Sequence, residues 1–168
     1  YTTLFRSGNL PGKREENGGG GPKEETVTEL FFPELSKEEL LRLSSLALAH
    51  VGDGVYELMA RTYVVGQKGG LARQMHQRTV ELVRAQTQAR AIRGLLREEV
   101  LTEEEKQVFL RGRNCHSHAA PKSASPEDYA HATGLEALFG WLYLTGQKER
   151  VCLLFEQILA MKPWKKEK

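Results

Sequence analysis

The sequence predicts an all-α protein, a compact bundle of six or seven helices, on three observations. Apolar residues recur three and four apart through 46–65, 75–96, 104–110, 129–144 and 149–161, the spacing that lines one side of a helix. Residues that start helices stand ahead of several of these segments. From Ser36 onward no alternating apolar and polar run and no Asn-Gly hairpin turn competes with them.

Residues 1–35 read as a flexible extension. They hold six of the 16 glycines, including the run Gly18 to Gly21, together with Pro11, Pro22 and Pro33, and such a stretch buries too little to order itself. No Lys-Ser or Lys-Thr pair follows the glycine run, which excludes a phosphate-binding P-loop. Leu30, Phe31 and Phe32 are the residues expected to dock back on the domain. The helical domain then spans 36–161. Ser36 with Glu39 forms a capping box that starts the first helix, and a break falls at Gln67 to Gly70. Segment 75–96 reads as one helix. Thr102 with Glu105 repeats the capping box, and Ser125-Pro126 with Asp128 gives a third start. The long connection runs from Gly112 to Ala124, and a short break falls around Gly146. Residues 162–168 read as a basic tail.

The chain has 168 residues, with 24 Lys and Arg against 22 Asp and Glu, a net charge of +2. That excludes an acidic solvating tail and a histone-like cation. Residues 1–35 hold four of the basic and six of the acidic side chains, so residues 36–168 keep 20 against 16, a balance of +4. A mildly basic domain permits a polyanionic partner without demanding one. Cys115 and Cys152 lack the spacing of a zinc ribbon or a redox pair and are read as reduced thiols. No apolar run reaches the roughly 18–20 residues that span a bilayer, and no signal pattern opens the chain. A cytoplasmic protein without a membrane partner is expected.

Two acids break the apolar pattern. Asp53 is the only Asp, Glu, Lys or Arg between Arg42 and Glu57, and Glu136 is the only one between Asp128 and Lys148. A buried carboxylate needs a partner, a proton or a metal, and two on different helices suggest one shared site. Hard Mg2+ uses one or two protein carboxylates and completes its shell with water and phosphate, and a water so activated attacks a phosphodiester. Gly52, Gly54, Gly134 and Gly140 each cost about 1 kcal/mol in a helix relative to alanine and are read as points of close approach. Two plain structural readings stand beside this one: Gly52-Asp53-Gly54 as a turn capped by Asp53, and Glu136 paired with a buried arginine such as Arg61 or Arg78. Glu57, one turn after Asp53, either joins the site or pairs with Arg61.

The connection from Arg111 to Ser123 contains no acid. Arg111, Arg113, Asn114 and Lys122 are donors suited to phosphate, and the alternative is a solvated loop whose arginines favour a helix C-terminus. His116 and His118 with Cys115 make a poor zinc set. Arg73, His76, Arg78 and Arg84 form a second basic stripe, with an ordinary solvated face as its alternative.

At these residues the sequence resembles Mini-ribonuclease III, the short bacterial relative of ribonuclease III that keeps the helical nuclease domain and lacks a double-stranded-RNA-binding domain. The resemblance covers Leu46 to Met161. It is carried by Leu46-Ala47-Leu48-Ala49-His50-Val51-Gly52-Asp53-Gly54-Val55-Tyr56-Glu57, by Arg111-Gly112-Arg113-Asn114, and by Pro121-Lys122, Asp128-Tyr129 and His131-Ala132-Thr133-Gly134-Leu135-Glu136-Ala137-Leu138. It implies a ribonuclease III-type endonuclease fold and a homodimer whose joined surfaces form a valley for double-stranded RNA. It also implies Mg2+-dependent hydrolysis that leaves 3′ overhangs, in maturation of large-subunit ribosomal RNA. Asp53 and Glu136 match the family's metal-binding acids. Ala49 and Thr133 stand where full-length ribonuclease III has two further acids, a reduction that Mini-ribonuclease III shares. Gly54, Arg84, His116 and His118 depart from the usual residues.

The resulting expectation is an Mg2+-dependent endoribonuclease that cuts duplex RNA, with a large-subunit ribosomal precursor as the substrate the resemblance implies. Asp53 and Glu136 serve as catalytic metal ligands, and Arg111, Arg113, Asn114, Lys122, Arg73, His76 and Arg78 hold RNA. A non-catalytic helical module that binds structured RNA or assembling ribosomes is the rival. A helical metal-dependent nucleotide hydrolase is the third reading.

Overall fold

Local chemistry sets where the helices begin. In a computed structural model that describes residues 34–67, 70–115 and 124–165, Ser36 and Glu39 exchange the two hydrogen bonds of a capping box, Glu39 N–H to Ser36 Oγ at 3.3 Å and Ser36 N–H to Glu39 Oε2 at 2.8 Å. They open α1, Lys37–Arg42. Ser44 caps α2, Ser45–Gly66, whose 22 residues extend about 33 Å at the usual helical rise. Next come α3, Ala72–Val83, and α4, Ala85–Arg97. The Thr102–Glu105 box opens α5, Glu103–Asn114. Ser125 caps α6, Pro126–Leu144, with Pro126 in its first turn, and α7 spans Lys148–Met161. Among the described residues no strand forms. An isolated antiparallel bridge joins Glu34 to Thr145, and no helix is long and apolar enough to cross a membrane.

Three expectations change. Segment 75–96 is two helices, because Arg84 takes an extended conformation (φ −65, ψ 146) between them. Its carbonyl then accepts the Gln88 N–H at 3.1 Å, and the turn points Thr87, Gln88, Ala91, Ile92 and Leu95 into the core. The long connection starts after Asn114, since α5 continues through Gly112. Gly52-Asp53-Gly54 lies inside α2, which removes the reading of these residues as a turn. The expectations for residues 1–33, His116, His118, Lys122 and 166–168 lie outside the described residues.

The core forms around α6. Ala132 to Leu135, Ala137 to Gly140, Leu142 and Leu144 are all buried, and a helix apolar on nearly every side must be covered on every side. α2, α4, α5 and α7 supply that cover. Leu135, Leu138, Phe139 and Leu142 pack with Tyr56, Ile92, Leu95, Phe109, Leu154 and Ile158. A smaller cluster of Leu48, Ala49, Ala137 and Leu144 takes in Leu35, Leu40 and Leu43 from the first described segment. An ion pair with a buried carboxylate crosses the fold: Arg150 on α7 donates to both Glu105 oxygens, at 2.7 and 2.8 Å, and to the Val100 carbonyl at 2.7 Å.

Candidate active site

Two helix backbones in direct contact bring the acids together. α2 and α6 meet at Gly52 and Gly140. A Cβ on Gly140 would stand 2.9 Å from the Leu48 carbonyl carbon and 3.0 Å from the Gly52 nitrogen, and a Cβ on Gly52 would collide with the Glu136 carbonyl. Asp53 follows Gly52 in the chain, so the crossing sets its carboxyl within electrostatic reach of Glu136. Gly134 likewise approaches Phe109 of α5. Gly54 differs from its expectation, with nothing within 4 Å of a Cβ built on it.

The electrostatics reflect two carboxyls in one place. Burial first, and then the Asp53 charge, pushes the Glu136 pKa up to about 8, while the Gln88 amide beside it acts in the opposite direction. Asp53, at the solvent edge, is raised by burial and by Glu57, against the pull of His50. No ion pair among the described residues includes Asp53 or Glu136. Arg61 instead gives its Nε to Glu57 Oε1 at 3.0 Å, and Arg78 lines a cleft with Tyr63, Val64, Gln67, Glu81, Leu82 and Trp164. The reading of Glu136 as half of an arginine pair therefore falls, and Glu57 is a surface partner of Arg61.

The donor set fits a hard divalent ion. Adjacent carboxylates repel each other, and a cation is what relieves them where no basic side chain does. Among the described residues no three His, Cys, Asp or Glu side chains converge, so the protein would supply two carboxylates and leave the remaining positions to water and phosphate, the habit of Mg2+.

The basic candidates divide into two groups. Gly112 of α5 packs against α6, where its Cβ would lie 2.6 Å from the Ala137 Cβ, so Arg111 and Arg113 flank a residue packed beside the neighbour of Glu136. Arg111 is exposed, and the Arg113 guanidinium lies 5.8 Å from the Phe109 ring centroid and donates Nε–H to Asn114 Oδ1 at 3.1 Å. Arg73, His76 and Arg78 are exposed on α3, and no hydrogen bond or ion pair among the described residues ties them to either acid. Lys122 lies outside the described residues.

Two residues at the site escaped the sequence reading. Gln88 and Tyr56 are each 1% exposed, and Gln88 Nε2, Gln88 Oε1 and Tyr56 Oη are buried without a hydrogen-bond partner. Tyr56 follows Asp53 by three residues, which is the one signal it carried. Gln88 carried none, because glutamine is an ordinary helix former and its placement depends on the turn at Arg84.

Comparison with known proteins identifies the family of the chain. The Ribonuclease III domain profile matches residues 46–147, a span that contains both acids and all the basic candidates. The chain is 43% identical over 122 residues to Mini-ribonuclease 3 of Thermoanaerobacter sp. (strain X514), across 73% of this chain and 84% of that protein. It is 40% identical over 119 residues to Mini-ribonuclease 3 of Clostridium tetani, across 70% and 78%. A crystallised protein of Fusobacterium nucleatum superposes with a TM-score of 0.66 at 27% identity, over 74% of this chain and 98% of that one. The chain belongs to the ribonuclease III family, as an endoribonuclease of the Mini-ribonuclease III kind.

Proposed function

We propose that this endoribonuclease cuts double-stranded RNA with a Mg2+ ion held by Asp53 and Glu136. The observation that carries the proposal is the pair of carboxyls brought within electrostatic reach at the α2–α6 crossing, neither of them in an ion pair among the described residues. When bound, the ion supplies charge stabilisation at the scissile phosphate and an acidified water. Asp53 binds from the solvent edge and Glu136 from deeper in the fold, so the phosphate approaches from the side of Asp53. Arg111 and Arg113 hold strand phosphates. The Phe109 ring and Asn114 orient the Arg113 guanidinium and leave its terminal nitrogens to donate. Asn114 and Lys122 complete this group, with Arg73, His76 and Arg78 as outer phosphate contacts.

A homodimer suits a duplex substrate, because one site per subunit cuts one strand each. Leu46, His50, Gly54 and Leu58 recur at four-residue spacing along α2, all exposed, with Leu58 64% exposed. The exposed Leu46 and Leu58 on this strip support a contact between copies. We assign the activity to residues 36–161 and its substrate to precursor large-subunit ribosomal RNA in the cytoplasm.

The test is cleavage of a long RNA duplex, with and without Mg2+, by the parent, Asp53→Asn and Glu136→Gln. Loss of Mg2+-dependent cutting in both folded variants is expected. No cutting by the folded parent across several duplexes and salt concentrations would overturn the proposal in favour of a non-catalytic RNA-binding module. Faster cutting of precursor ribosomal RNA than of an unrelated duplex of equal length is the further expectation for the substrate.

A further inference from the structure

Three buried polar atoms without partners are an anomaly in a helical core. A donor or acceptor in that state costs about 1–3 kcal/mol, and each such group in a folded protein requires an explanation. Here they belong to two side chains, Gln88 and Tyr56, that both act electrostatically with Glu136. Gln88 lies against Glu136 on the inner face of α4, where Ala89, Ala91 and Ile92 are fully buried. Tyr56 packs edge-on to Phe139 and Phe155, with ring centroids 5.3 and 5.4 Å apart, contacts that a phenylalanine would make equally well. Packing alone gives no reason for either polar group.

We propose that Gln88 is the positioning residue of the active site: its Nε2–H donates to the inner oxygen of the ionised Glu136 carboxylate and leaves the outer oxygen directed at a divalent ion. The inference rests on the reading of Asp53 and Glu136 as the ligands of that ion. An ionised carboxylate is an acceptor only, with two oxygens and about four lone-pair sites, and a single ion does not satisfy them all. Partners behind a ligating carboxylate fix its orientation, and their loss typically costs 10–100-fold in metal affinity. An amide suits this place better than a basic group. Arginine or lysine would orient the carboxylate too, but its charge would compensate Glu136 and compete with the ion. The amide orients it and leaves its charge available. The turn at Arg84 is what delivers Gln88 to this position, since it directs the first turns of α4 into the core.

The experiment uses Gln88→Met, which keeps the length and bulk of the side chain and removes both polar atoms, beside the parent and Asp53→Asn. Mn2+ binding to the RNA-free protein is titrated calorimetrically, thermal unfolding is followed without metal, and kcat and KM are measured on a long RNA duplex. The expected result is a Mn2+ dissociation constant raised about tenfold or more, a lower kcat with KM unchanged, and a metal-free unfolding midpoint equal to the parent's or higher. A purely structural glutamine would lower that midpoint and leave Mn2+ affinity alone, and this result overturns the proposal, as does a variant that fails to fold. If the parent binds Mn2+ and Asp53→Asn does not, while Gln88→Met binds like the parent, the role of Gln88 fails alone. If the parent binds no Mn2+, or Asp53→Asn binds as tightly, the two-carboxylate reading fails and takes this one with it.

Discussion

Gly52 of α2 lies against the backbone of Glu136 in α6, so that a methyl group at position 52 would stand 2.6 Å from both the Glu136 carbonyl carbon and the Gly140 nitrogen. No rotamer change relieves a clash between main chains. Gly52→Ala must therefore push α2 off α6, and overpacking of this kind costs typically 1–3 kcal/mol and occasionally more. Chemical denaturation of the variant should fall at or above the upper end of that range. Gly54→Ala, with open space around it, should lie within about 1 kcal/mol of the parent on the stabilising side.

Glu136 makes the metal-free protein sensitive to alkali. Its folded pKa of about 8 stands above its ordinary value of 4.5, so the folded state holds the proton that the unfolded state has already released. Stability then declines as pH rises from the ordinary carboxylate range to about 8 and levels beyond, at about 1.4 kcal/mol for each tenfold difference in proton affinity. Glu136→Gln should flatten this decline and unfold at a higher temperature than the parent at pH 8.5 without divalent ions. Thermal melts across pH 5 to 9 check both statements.

Glu105 has the opposite sign. Arg150 and the Thr102 cap hold its pKa below the ordinary value despite burial. Its contribution is complete above the unfolded carboxylate pKa and disappears as pH falls through the lower folded one. Glu105→Gln should cost about 2–3 kcal/mol at neutral pH, because it removes the negative charge and one of the two acceptor oxygens that face the partly buried Arg150 guanidinium. It should also lose less stability than the parent on acidification, as urea titrations at pH 7 and pH 3 will read.

Arg111 is exposed and makes no ion pair among the described residues, so its substitution isolates a phosphate contact. Arg111→Ala should weaken duplex binding equally across sequences and reduce the slope of log affinity against log salt by about 1, with little change in unfolding. Arg113→Ala should add a small stability loss, about 0.5–1 kcal/mol, from the vacated Phe109 ring. Filter binding at several salt concentrations separates the two.

The helix starts were legible because capping is local chemistry: Ser36 with Glu39, Thr102 with Glu105 and Ser125 with Asp128 carry their partners within three residues. Asp53 and Glu136 stood out as charges in apolar runs, yet the apolar context meant different things at each. Around Glu136 it marks a helix covered on all sides, whereas around Asp53 it is partly an exposed strip through Leu46 and Leu58. The break at Arg84 was not legible, since neither glycine nor proline marks it. Gln88 depends on that break and on two other helices, so its neighbourhood exists only in the folded chain.

The position of Glu136 on a helix surrounded by four others has a consequence for dynamics. Segments at a protein's margin open and close on their own, at a small fraction of the free energy of global unfolding, whereas a central core helix opens only with the whole domain. α6 is of the second kind. Its carboxylate has no partly opened state in which to drift away from Asp53 while the remaining fold persists, so fluctuations that admit or release a substrate must be carried by the periphery.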